Sequence, residues 1–401
     1  MSESLSTIDN SFIFSEVPES LRSRVFSYWQ DLQVSAKEHD FALNVGESRQ
    51  RQLFRVWASS DFVAKNCIHS PALIRQLLES GDLDRPYEPG ELTQKIGRVL
   101  VDVEDIASLQ RILRRFRLSE SVRIAWRDLA GLASLNEIMA TMSELADCCI
   151  QQGLHYCYRW LAESRGAPLG KSDGGVVAFL VLGLGKLGGR ELNFSSDIDL
   201  IFAYGDDGET DAQRPITNHE FFTKLGRQLI SILDTRTEHG YVFRVDMRLR
   251  PNGRSGPIVL SFDATENYYQ THGRDWERYA LTKARIVAGD HQAGEELLSR
   301  LRPFVYRKYL DYGAFESIRD MKELVERELA RKATARNIKL GRGGIREIEF
   351  IVQSFQLIRG GREPRLQTNR LFDAIAQLVN IGALDHDVVS ELKAHMFFCA
   401  I

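Results

Sequence analysis

Two aspartates one residue apart, Asp197 and Asp199, open the run Asp197-Ile198-Asp199-Leu200-Ile201. Side chains alternate faces along a strand, so both carboxylates project to one side while the apolar residues turn to the core. Like charges held that close cost several kcal/mol unless something positive lies between them, and a divalent cation is the usual remedy. Magnesium takes oxygen ligands in an octahedron, commonly one or two carboxylates plus substrate phosphates. Two such ions about 3.5–4 Å apart would clamp the attacking and leaving oxygens of a displacement at phosphorus. A third acid, Asp246, lies in the alternating segment 241–249 with Arg244, Arg248 and Arg250 on the same face. If that segment runs beside the first strand, Asp246 completes a metal set. An arginine there could fork onto phosphate oxygens, although a surface ladder of ion pairs accounts for Arg248 and Arg250 equally well.

Upstream, Gly183-Leu-Gly185-Lys186-Leu-Gly188-Gly189 lets the backbone approach a phosphate and present amide hydrogens to it. Its G-x-G-x-x-G spacing matches the dinucleotide fingerprint, but that fold needs a full helix next and an acid ending a second strand. Only residues 189–196 separate the glycines from Asp197, and the acids begin a strand rather than end one, so a dinucleotide crossover does not fit. Nor is this a Walker loop, because Lys186 lacks the four-residue spacer and the following Ser or Thr.

The elements that must position these residues are legible in outline. From Pro18 to about Gly166 the pattern is helical, clearest where the capping box Ser134 with Glu137 precedes Ile138, Met142, Leu145 and Cys149; Gly153 weakens that helix. Residues 165–175, rich in Gly, Pro and Ser, read as a linker. Apolar runs at 176–182 and 198–204 predict buried strands. Thr217 with Glu220 caps a helix to about Thr235. A third strand is expected over 241–249 and a short one over 258–262, and from Ala264 the helical period returns almost to the end. The expected class is α+β: a helical N-terminal region (1–166), a central mixed-sheet domain carrying the paired acids (167–300) and the start of a helical C-terminal region (301–401). A final helix with neither cap nor terminal glycine predicts that the chain is a truncated piece of something longer.

Bulk properties narrow the classes. The 401 residues suffice for two or three domains. With 43% hydrophobic and 27% charged residues and no long apolar run, the chain reads as soluble, with no membrane partner. Its polar, acidic start lacks a secretory signal, which predicts the cytoplasm. Five cysteines without paired spacing indicate neither a disulfide framework nor a zinc site. A net charge of −3 has the wrong sign for nucleic-acid binding, leaving a small nucleotide or an acidic protein as partner. His386-Asp387 lacks companion histidines and reads as a solvated helix start. Residues 337–350, with glycines and bases before a helix bearing Arg346, Glu347 and Glu349, suit either anion binding or docking of that helix.

Gly185-Lys186, ten intervening residues, then Asp197-x-Asp199 with a later strand carboxylate resembles the DNA polymerase beta nucleotidyltransferase superfamily. The strings GLGKLGGRELNFSSDIDLIFAYG, YVFRVDMRLRPNGRSGP, GRDWERYALTKARI and NIKLGRGGIREIEFIVQSFQLIRGGREP resemble the bifunctional glutamine synthetase adenylyltransferase and adenylyl-removing enzymes, over nearly the whole chain. That family carries two such domains in tandem. Glu191-Leu-Asn-Phe-Ser-Ser and Lys339-Leu-Gly-Arg-Gly-Gly-Ile-Arg resemble the N-terminal, adenylyl-removing copy. The resemblance implies phosphorolysis, in which inorganic phosphate attacks an adenylyl group on a tyrosine of glutamine synthetase and releases ADP. It implies that Asp197, Asp199 and Asp246 hold two Mg2+ ions. Gly185, Lys186, Gly188, Ser195 and Ser196 would cradle the nucleotide phosphate, with lysine standing at the superfamily's usual serine position. It also implies response to the P-II signal protein and its uridylylated form. Two other readings stand beside it: a nucleotidyltransferase for another acceptor, and a silent module that only binds glutamine synthetase or P-II.

Overall fold

The computed structural model describes residues 14–40, 45–238, 240–308, 316, 319–320, 322–323, 345–385, 387, 389 and 391. The expected features at 337–344, at His386 and over most of the last ten residues lie outside this set. The chain divides into two compact units, residues 1–101 with 112–145 and residues 102–111 with 146–401. The class is α+β. Among the described residues, no helix is long and apolar enough to cross a membrane.

The first unit is helical: α1 (Glu19–Glu38), α2 (Glu47–Ser59), α3 (Asp61–His69), α4 (Pro71–Glu79), α5 (Glu91–Val99), most of α6 (Ile106–Leu129) and the start of α7 (Leu135–Arg165). Its core gathers Leu32, Leu53, Phe54, Trp57, Ile74 and Trp126, all essentially buried. Arg123 and Arg127 are buried with them, their guanidinium groups donating to the carbonyls of Asp82, Arg85, Leu83 and Leu132. The expected cap opens α7, with Ser134 Oγ accepting from Glu137 N at 3.3 Å.

The second unit is built on a sheet. In chain order come β1 (Pro168–Gly170), β2 (Phe179–Leu184), the single turn α8 (Gly185–Gly188), β3 (Ile198–Tyr204), β4 (Gly208–Thr210) and α9 (Asn218–Asp234). There follow β5 (Val245–Asp246), β6 (Val259–Ser261), α10 (Phe262–Thr271), α11 (Asp275–Leu281), β7 (Arg285–Gly289), α12 (His291–Val305), α13 (Ile345–Arg359) and α14 (Leu371–Asn380). The main sheet runs β5-β3-β2-β7, and β6 pairs with β3 beyond β5. β2 is antiparallel to both β3 and β7, whereas β5 and β6 are parallel to β3. The antiparallel β2–β3 step is incompatible with a dinucleotide-binding crossover, which joins parallel strands.

Every residue of β2 is buried, as an apolar run covered on both faces should be. On one face Leu180, Leu182, Leu184, Ile201, Ala203 and Ile286 pack with α10 and α12 through Phe262, Tyr269, Leu297 and Leu301. On the other, Phe179 and Tyr204 stack on Phe222 of α9, with ring centroids 5.2 and 5.0 Å apart. A second core joins α13 and α14 through Ile348, Val352, Leu371, Ile375 and Leu378.

α7 carries on through Gly153 past Trp160 and Leu161, the continuation that the pattern allows, and a Cβ at Gly153 would lie 3.0 Å from Leu229 of α9. Several sequence expectations are corrected. The expected linker contains β1, paired antiparallel with β4. The strand expected over 241–249 shrinks to Val245–Asp246. Upstream, the amides of Val242 and Phe243 both go to Leu233 O at the end of α9. Downstream, Arg248 N donates to Asp246 Oδ1 at 2.8 Å, an Asx turn that ends the strand. The strand expected at 258–262 stops at Ser261, whose hydroxyl caps α10. Finally, the helical stretch expected from Ala264 onward is interrupted by β7, a five-residue edge strand ended by Gly289 at φ +91°.

Candidate active site

The parallel register between β3 and β5 sets Ile198 opposite Val245 and Asp199 opposite Asp246. Matched residues on adjacent parallel strands share a face, so the two carboxylates emerge side by side at one end of the sheet. Antiparallel pairing puts Leu184 opposite Asp199 on the other flank, and the chain turns there into α8. Gly185 takes φ +53°, and a Cβ on it would meet Asp199 Oδ2 at 2.7 Å. The glycine therefore lets the backbone lie directly against the Asp199 carboxylate.

The three acids differ in their surroundings. Asp197, just before β3, is exposed and forms an ion pair with Arg244 Nε at 2.6 Å, while Arg244 Nη2 also donates to Ser195 O at 2.6 Å. Asp246 is gripped by Arg248, whose Nε lies 3.0 Å from Oδ1 and 2.7 Å from Oδ2 and whose Nη2 also reaches Oδ2. Burial pushes the Asp246 carboxyl up, but these hydrogen bonds and the arginine charge outweigh it and hold the group below the usual range. Asp199 goes the other way. Burial, then the charges of Asp246 and Asp197, push its carboxyl up to about 6, with Arg248 only partly opposing them. Among the described residues no group donates a hydrogen bond to it.

Among the described residues no three His, Cys, Asp or Glu side chains are gathered as a metal site, and Asp197 and Asp246 are instead ion-paired with Arg244 and Arg248. The donor chemistry nevertheless fits an ion held by two carboxylates. Asp199 and Asp246 offer hard oxygen donors in register, and Asp199, pushed up first by burial and then by the charges of Asp246 and Asp197, is a carboxylate whose ionised form a cation would favour. Asp197 could join them by exchanging Arg244 for the ion.

The remaining predicted residues separate into those near the carboxylates and those spent on the scaffold. Lys186 lies half-buried in α8, its carbonyl accepting from Glu191 N at 2.8 Å. Gly188 is a packing glycine: a Cβ there would lie 1.9 Å from Lys283 O. Ser195 is exposed, and Ser196 donates to Asn193 Oδ1. Arg250 donates to the carbonyls of Met247, Arg254, Gly256 and Pro257, closing the loop after β5 rather than facing the acids. Arg346 is exposed at the start of α13, and Asp387 is exposed.

Two ion pairs that sequence reasoning did not single out hold the glycine turn. Lys283 Nζ meets Glu191 Oε2 at 2.6 Å, with both residues buried. Arg285 meets Asp147 at 2.7 and 3.0 Å and also donates to Leu187 O at 2.9 Å and Gly188 O at 3.2 Å. No local signal in GRDWERYALTKARI marks Lys283 or Arg285 as ion-paired, because their partners lie far away in the chain.

A mixed sheet with paired carboxylates at its end beside a glycine turn is the arrangement expected of a nucleotidyltransferase, and comparison with known proteins shows that class. A family model for glutamate-ammonia ligase adenylyltransferase matches residues 50–300, and one for PII-uridylyltransferase matches residues 319–400. Three curated relatives carry the name bifunctional glutamine synthetase adenylyltransferase/adenylyl-removing enzyme. That of Nitrosococcus oceani is 53% identical over 87% of this chain and 36% of its own length. Those of Pseudomonas aeruginosa and Shewanella woodyi are 52% and 43% identical, over 86% and 98% of this chain and 35% and 40% of their own. The chain thus belongs to the glutamate-ammonia ligase adenylyltransferase family, and it spans between a third and two-fifths of the length of these relatives.

Proposed function

We propose that this chain removes AMP from an adenylylated tyrosine of glutamine synthetase by phosphorolysis. An oxygen of inorganic phosphate forms a bond to the adenylyl phosphorus, the bond from that phosphorus to the tyrosine oxygen breaks, and the tyrosine takes up a proton as ADP leaves. The observation that carries this reading is the register of Asp199 with Asp246 beside the Gly185 backbone.

Asp199 and Asp246, with Asp197 once Arg244 is exchanged, would hold two Mg2+ ions. Such ions supply positive charge to the phosphate oxygens and to the departing tyrosine oxygen. The Gly185 turn would admit the phosphate close to the backbone, and Arg248, forked on Asp246, would share its guanidinium with a phosphate oxygen. Lys186 lies in the same turn and Ser195 and Ser196, just before β3, would reach the phosphate with it, whereas Gly188 and Arg250 serve the scaffold. The tyrosyl substrate follows the printed names of the relatives, and the match to the adenylyl-removing copy rests on Glu191-Leu-Asn-Phe-Ser-Ser. The P-II protein and its uridylylated form are the proposed regulators and the cytoplasm the proposed compartment. The match of residues 319–400 to a PII-uridylyltransferase model supports the P-II link.

The test is release of ADP from adenylylated glutamine synthetase and phosphate, with and without Mg2+. Wild type should turn over only with the metal and Asp199→Asn should be silent. Turnover by Asp199→Asn at the wild-type rate defeats the reading. Transfer of a uridylyl group to P-II would favour another acceptor.

A further inference from the structure

We propose that Glu191 and Lys283 act as a positioning pair that fixes the glycine turn against Asp199 and couples it to the helix beginning at Leu371. For turnover the proposal rests on the phosphorolytic reading; for the geometry of the turn it does not.

Glu191 is bonded on three sides. Its amide donates to Lys186 O at 2.8 Å, its Oε2 accepts from Lys283 Nζ at 2.6 Å, and its Oε1 accepts from Leu371 N at 2.6 Å. The turn therefore ends on a residue anchored both to the entry of β7 and to the first residue of α14. Gly189 lies where the three meet: a Cβ on it would stand 2.9 Å from Lys283 Nζ, 3.0 Å from Glu191 Oε2 and 3.1 Å from Asn369 O. Between Gly189 and Glu191 the chain passes through Arg190 at φ +57°, a left-handed conformation that a non-glycine residue keeps only where its surroundings impose it.

The 369–371 end of the link is itself fixed. Gln356 Nε2 donates to Leu366 O and Thr368 O at 2.7 Å each, and Gln353 Nε2 donates to Thr282 Oγ1 at 2.6 Å, next to Lys283. Polar bonds joined through the backbone at 282–283 and 368–371 thus lead from α13, within the stretch matching the uridylyltransferase model, to the turn matching the adenylyltransferase model. The turn in turn touches the reacting centre, since the Gly185 backbone abuts Asp199. Removing one charge of a buried pair leaves the other uncompensated, and a shift of about 1 Å at such a centre can cost on the order of 100-fold in rate.

The experiment is hydrogen exchange by mass spectrometry on the full chain, paired with steady-state phosphorolysis, for Glu191→Gln, Lys283→Met and the double variant. Each single variant should raise exchange about tenfold or more in peptides over 183–192 while β3 keeps its protection, and should lower kcat about 10–100-fold with KM changed less than about threefold. The double variant, which removes both charges, should recover most of the protection. Unchanged exchange at the turn overturns the proposal. So does a uniform rise across the unit, or loss of cooperative folding in both single variants, because the pair would then support the whole unit rather than the turn. Should wild type prove inactive, the phosphorolytic reading fails and the exchange data still decide the positioning role.

Discussion

Asp199 and Asp246 occupy matched positions on adjacent parallel strands, yet Arg248 grips only Asp246 of the two. One carboxyl is held below its usual range and the other is pushed up to about 6. A carboxyl whose folded value is raised binds its proton more tightly in the folded chain. The resulting penalty sets in as pH rises through the unfolded value of about 3.9 and is complete above about 6. Asp199→Asn lacks that penalty. Without metal it should be as stable as wild type near pH 4 and more stable by about 1–2 kcal/mol at pH 7, allowing for solvent screening. Melts at half-unit pH steps in chelator measure the gap; a gap that closes toward pH 7 contradicts the charge arrangement.

The same repulsion predicts how magnesium acts on stability. An ion that binds the folded chain alone raises stability by about 2.7 kcal/mol at 100 times its Kd. Mg2+ should therefore raise the Tm of wild type and leave that of Asp199→Asn nearly unmoved, without any substrate present. Equal shifts in both proteins would locate the ion elsewhere.

How far the sequence led is clearest at these strands. The β3 bounds follow from an apolar run, and the faces of Asp199 and Ile201 from simple alternation. Pairing of β5 with β3 is a long-range choice that no local pattern encodes, and the length of β5 was overestimated because its end is set by a side chain. Arg248 alternates correctly in the sequence, but its amide and guanidinium fold back onto Asp246, terminating the ladder. β7 was missed for the opposite reason: Arg285-Ile-Val-Ala-Gly is short, lies between two helices and is stabilised by pairing with β2 rather than by its own pattern. The buried pair Glu191–Lys283 and the half-buried pair Asp147–Arg285 stand 92 and 138 residues apart, so nothing in the neighbouring sequence names either partner.

The glycines of the turn look alike in sequence and differ in space. At Gly188 a Cβ would meet backbone, 1.9 Å from Lys283 O and 2.6 Å from Gly183 O, and neither can retreat without moving β7 or β2. At Gly185 the obstacle is the Asp199 carboxylate at 2.7 Å together with φ +53°. Gly188→Ala should cost more than about 3 kcal/mol of stability, in the range of overpacked cores or beyond. Gly185→Ala should cost about 1–2 kcal/mol but abolish Mg2+-dependent stabilisation by displacing the Asp199 carboxylate. Urea unfolding with and without Mg2+ separates the two, and the reverse ranking would show that the turn packs differently.

Asp147 and Arg285 test the scaffold under the site. Arg285 spends its guanidinium on both oxygens of Asp147 and on the carbonyls of Leu187 and Gly188, so it fastens the end of the α8 turn to α7. Asp147→Ala leaves a largely buried guanidinium with only carbonyl partners, and breaking such a pair one-sidedly costs about 3–5 kcal/mol. The expected loss lies at the lower end, because the two carbonyl bonds remain. Replacing both residues, Asp147→Ala with Arg285→Met, removes the stranded charge and should be less damaging than the sum of the single changes by about 1 kcal/mol or more. Strict additivity in urea unfolding would mean that the two side chains do not depend on each other, and that the turn takes its support from the carbonyl bonds alone.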